Sequence, residues 1–94
     1  MTRDPLDDLR GRVLDVDRRI VGALNERLAL VAEIWSVKTE RGLPLFDEGR
    51  ERRLRAALAE ANDGPLSAEG LDALVDAVLE LTKREMGGDH GPRA

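Results

Sequence analysis

The sequence has no cysteine and no tyrosine, and its 94 residues include only one tryptophan, one phenylalanine and one histidine. Without cysteine there is no disulfide framework, no thiolate metal site and no thiol nucleophile. The single histidine, His90, falls in a Gly/Pro-rich tail, so neither a histidine metal triad nor a histidine-based catalytic triad can be built. With so few aromatic residues, a core must be made from Leu, Val, Ile and Ala. Long apolar runs are also missing: none approaches the roughly 18 residues that a membrane-spanning helix needs. The opening "MTRDPLDDLR" lacks the charged-then-apolar layout of a secretory signal. There is no surplus of cations either. A net charge of −4 and a pI near 5.0 argue against a nucleic-acid binder, which must neutralise phosphates. A cytoplasmic protein is expected, bound to neither membrane nor nucleic acid. Its chemistry must come from Arg, Lys, Asp, Glu, Ser and Thr.

What the sequence does contain favours helix. Ala, Leu, Glu and Arg abound, and the β-branched or aromatic runs typical of sheets are absent. One all-α domain is expected over residues 5–86, with a disordered tail at 87–94. The first helix starts near Pro5, with Asp4 as N-cap, and runs without a breaker to Arg41, where Gly42 and Pro44 stop it. Along it Leu6, Leu9, Val13, Val16, Ile20, Leu24, Val31 and Ile34 step by three or four, forming one narrow stripe. Asp47 is placed to cap a second helix reaching about Ala61, with Leu54, Leu58 and Ala61 inward. Ser67 opens a third that continues to about Met86, with Leu66 and Leu71 spaced for a hydrophobic staple.

The first helix is too long for its partners. About 36 helical residues span about 54 Å, whereas a compact domain of this size has a radius of gyration of about 12 Å. Two shorter helices cannot cover such a stripe. An intertwined helical homodimer is the simplest way to bury the remainder.

The stripe also carries cations. Arg27 and Lys38 differ by only about 20° around the helix, inside the arc of Ile20, Leu24, Val31 and Ile34, and Arg10 lies at its edge. In the second helix Arg50 shares a face with Leu54 and Ala57; in the third, Thr82 lines up with Leu71, Val75 and Val78. Taken singly, Lys38 could snorkel from the helix end and Arg27 could pair with a carboxylate such as Glu51. Taken together, four cations, one hydroxyl and the carboxylates of Asp47 and Glu51 suit a cavity for a small, multiply anionic ligand. The basic run "RERRLR" reads as a solvated helix face around one inward arginine, Arg50.

In these features the sequence resembles the all-helical chorismate mutases. The likeness runs from about Leu6 to Met86. It rests on Leu9-Arg10, on "DVDRRIVGALNERLALVAEI" leading into Lys38, on "GLPLFDEGRER" and on "GPLSAEGLDALVDAVLEL". The resemblance implies an intertwined dimer with two equivalent sites and no cofactor. Arg10 would reach in from the partner subunit and join Arg27 of the same chain in binding the substrate's carboxylates. Lys38 would donate to the ether oxygen and a carboxylate. Asp47 and Glu51 would lie near the ring hydroxyl with Arg50 beside them, and Thr82 would hold a position where relatives usually have Ser. One turn later the family usually carries Gln or Glu, also donating to the ether oxygen. Here the residue is Met86, a thioether without a donor.

The implied reaction, chorismate to prephenate, is unimolecular and suits an inventory without nucleophile or metal. It needs a flexible dianion held in its reactive conformer, and stabilisation of charge growing on the breaking ether. Three alternatives share the scaffold: an aminodeoxychorismate mutase, an isochorismate pyruvate-lyase, and a weakly active or non-catalytic helical dimer that needs a partner enzyme.

Overall fold

Each helix begins where the sequence supplies a capping side chain. The structure is a computed structural model that describes residues 4–87, and among these all regular structure is helical. Helix α1 spans Pro5–Arg41, α2 Glu48–Ala61 and α3 Ala68–Glu85. The Asp4 carboxylate accepts the backbone N–H of Leu6 at 3.0 Å, and Pro5 fills the first helical position, where an N–H would have no helical partner. Asp47 accepts from Gly49 and Arg50, and Ser67 from Gly70, so all three expected N-caps are made. Leu66 folds over the first turn of α3 beside Gly70, where an added Cβ would meet the leucine methyl at 2.9 Å. The tail expected at 87–94 lies, apart from Gly87, outside the described residues.

The end of α1 is set by Gly42. Its φ of 66° is the left-handed conformation that glycine adopts without a Cβ penalty. Gly42 N–H donates to Thr39 O and Leu43 N–H to Lys38 O, which is the paired hydrogen bonding of a Schellman cap. Asn62 makes the next turn. Its side-chain amide donates to Leu66 O at 2.9 Å.

The chain divides into two units, one ending at Glu33 and the other beginning at Ile34, so α1 contributes to both. Among the described residues of the first unit none is buried, and Leu9, Val13 and Ile20 are each more than half exposed. Asp15 and Arg18 form an ion pair at 3.1 Å one turn apart, both well exposed, an arrangement that adds little stability.

In the second unit α3 supplies the centre. Val75 and Thr82 are its buried residues, and Leu71, Val78, Leu79 and Leu81 are half-buried around them. Helix α2 packs on α3. Its half-buried positions are Gly49, Glu51, Leu54 and Arg55, with Glu51 three and four residues before the last two. Leu58 is only partly covered and Ala61 is exposed, so the inward face is turned toward the start of α2 compared with the expectation from Leu54, Leu58 and Ala61.

Candidate functional site

Lys38 lies in the last turn of α1 and is half-buried. Its Nζ donates to the carbonyl of Leu45 at 3.3 Å, across the loop that follows the helix. An ammonium has three donors, and this bond uses one of them. The loop is anchored at both ends, by the Gly42 cap and by Asp47 at the start of α2. Between the anchors, Phe46 meets Trp35 of α1 edge to face, with ring centroids 5.5 Å apart and planes at 85°. Lys83 of α3 places its Nζ 5.4 Å from the centroid of the same ring.

Asp47 is engaged by backbone: Oδ1 accepts from Gly49 N–H at 2.9 Å and from Arg50 N–H at 3.3 Å. Arg50 is exposed at the third position of α2, and Glu51 is half-buried beside it. The arginine that turns toward α3 is Arg55, not Arg50. Its guanidinium pairs with Asp72 at 3.4 Å and Asp76 at 2.5 Å, each on α3. The hydrogen bond to Asp76 holds the Arg55 pKa above its usual value, opposed by partial burial and helped by the charges of Asp76, Asp72 and Glu51. In the sequence Arg55 sits in the basic run that reads as a solvated helix face. Its one available signal was an i, i+4 acidic pair, Asp72 and Asp76, on the facing helix.

Thr82 is buried in α3, and its hydroxyl donates to Val78 O at 2.7 Å, bonding back one turn along its own helix. Met86 caps that helix. Its N–H donates to Thr82 O at 2.9 Å and its side chain is half-buried. Arg10 and Arg27 belong to the first unit, Arg10 exposed and Arg27 half-buried. The second unit thus holds Lys38, Asp47, Arg50, Glu51, Thr82 and Met86 within three local settings: the capped loop, the start of α2 and the end of α3. Among the described residues, no group of three or more His, Cys, Asp or Glu side chains could hold a metal ion. No helix there is long and apolar enough to cross a membrane.

The sequence profile of the family described as chorismate mutase type II matches residues 9–86. The solved chorismate mutase of Thermus thermophilus is 35% identical in its Form I structure, with a TM-score of 0.81, covering 84% of this chain and 99% of that one. Its Form II structure is 34% identical with a TM-score of 0.83, covering 88% and 94%. The T-protein of Haemophilus influenzae is 34% identical over 83 residues, and that of Enterobacter agglomerans 32% over 81. These matches take in 87% and 86% of this chain but 21% and 20% of the T-proteins, so the chain spans about a fifth of the length of these curated relatives. The profile match over most of the sequence and the likeness to a solved enzyme along nearly its whole length lead to one conclusion: the chain belongs to the chorismate mutase type II family.

Proposed function

We propose that this domain converts chorismate to prephenate and does so as an intertwined homodimer. The observation that carries the proposal is the family match itself, because residues 9–86 include every candidate site residue from Arg10 to Met86. The 35% identity to the Thermus thermophilus chorismate mutase, over nearly all of that chain, supports the same activity.

The division of labour follows from side-chain chemistry. Arg27, joined by Arg10 of the second subunit, grips the two carboxylates, since a guanidinium fork matches a carboxylate in two parallel hydrogen bonds. Lys38 donates to the ether oxygen, where negative charge grows as the C–O bond breaks. Asp47, Glu51 and Arg50 face the ring hydroxyl side, and Thr82 and Met86 complete the wall. No proton transfer or covalent intermediate is required. The acceleration comes from holding the compact conformer and from a fixed field around the ether.

The exposed stripe on α1 supports the dimer. Leu9 at 52%, Val13 at 58% and Ile20 at 52% exposure form an apolar row that a second copy of α1 would cover. The product would feed aromatic amino-acid biosynthesis in the cytoplasm. Met86 favours a second reading, a weak mutase that reaches full rate only with a partner enzyme, because it leaves the ether oxygen one donor short. Steady-state turnover of the purified protein with chorismate, isochorismate and aminodeoxychorismate tests both. Preference for chorismate supports the proposal, and turnover confined to another substrate overturns it.

A further inference from the structure

Lys38 is held by a neutral backbone carbonyl, and what holds that carbonyl lies outside the family's site residues. The Leu45 C=O that accepts the Lys38 ammonium belongs to the same planar peptide unit as the N and Cα of Phe46. Holding Phe46 in place therefore restricts the directions open to that oxygen. The Phe46 ring is held from two helices, edge to face by Trp35 of α1 and by the Lys83 ammonium of α3. It is 51% exposed, too open to be an ordinary core anchor, and its two ring contacts are directional.

We propose that Phe46 is a positioning residue for the rearrangement: clamped between Trp35 and Lys83, it aims the Lys38 ammonium through the Leu45 carbonyl. One Lys38 proton is committed to Leu45, which leaves two directed donors for an ether oxygen and a carboxylate. Without the clamp the loop between Gly42 and Asp47 keeps its ends, but the carbonyl between them is free to rotate. The ammonium then samples several directions. An electrostatic donor loses its effect when it must reorganise during the reaction.

The inference rests on the chorismate mutase assignment for its kinetic consequence, and has a structural readout independent of it. Phe46→Leu keeps apolar bulk and removes the ring, Phe46→Tyr keeps the ring, and Lys83→Met removes one of its two holds. Each is assayed for kcat and KM with chorismate, and for the order parameter of the Lys38 ammonium by side-chain ¹⁵N relaxation, with thermal unfolding as the check on folding. Phe46→Leu is expected to lower kcat on the order of tenfold, with KM changed by less than about twofold. It should also lower the Lys38 order parameter. Lys83→Met should give a smaller loss of both, and Phe46→Tyr should restore both. A folded Phe46→Leu protein with unchanged kcat and unchanged ammonium order overturns the proposal. If the native protein does not turn over chorismate, the mutase assignment falls, and the ammonium order in Phe46→Leu then decides the positioning role alone.

Discussion

Arg50 stands where a helix least favours it. It is the third residue of α2, at the positive end of the helix dipole, and Arg52 and Arg53 follow in the same half while the last turn has no cation. Glutamate at this position would return a hydrogen bond to the N-cap and complete a capping box with Asp47. Arg50→Glu should therefore raise the unfolding midpoint, by roughly 0.3–1 kcal/mol of stability from the dipole and cap. If Arg50 serves the proposed site, the substitution should also depress turnover, because a carboxylate then replaces a cation beside an anionic substrate. A more stable protein with unchanged turnover would remove Arg50 from the site. Met86 presents the converse case, a proposed site position without the donor that the family resemblance implies. Met86→Gln conserves an unbranched side chain at the half-buried end of α3 and adds an amide donor. Loss of one such donor typically costs on the order of 10²–10³ in turnover. Met86→Gln should accordingly raise turnover on chorismate with little change in stability. A slower enzyme after this substitution would show that Met86 is an adapted part of the pocket.

At the scale of elements, Arg55 joins α2 to α3 through Asp72 and Asp76. Arg55→Ala should lower the thermal midpoint modestly, and the difference from the native protein should shrink as salt is added. Its pH dependence has a definite sign. The folded-state pKa of Arg55 is raised, so its contribution is fully present below the unfolded pKa and is lost only as pH rises through the folded value. Across the neutral and moderately alkaline range the native-to-variant difference contributed by Arg55 deprotonation should stay flat, as pH-dependent melting would record. The helices were legible in the sequence because their ends are local. Asp4, Gly42, Asp47 and Ser67 each act on backbone groups within a few residues. The Arg55 ion pairs, the Phe46 clamp and the bond from Lys38 to Leu45 were not, because each depends on which face of one element meets another. Periodicity marked α2 as amphipathic. It could not show that the covered face runs through Glu51 and Arg55 and leaves Arg50 outside.

For the whole molecule, the exposed stripe along α1 sets the expectation for assembly. No residue of α1 is buried in the single chain, although its apolar residues recur at helical spacing from Leu6 to Ile34. Sedimentation at micromolar concentration should give about twice the 10.4 kDa chain mass. A stable, well-folded monomer would refute the intertwined dimer and the role of Arg10 across it. The activity itself is tested most directly by following the conversion of chorismate to prephenate by purified native protein and its Lys38→Ala variant, with a chelator present. The native protein should show saturable turnover, and the folded variant a loss on the order of 10²–10³ if Lys38 is the ammonium donor to the ether oxygen. No acceleration of chorismate rearrangement by the native protein, or equal turnover without the Lys38 ammonium, would contradict it.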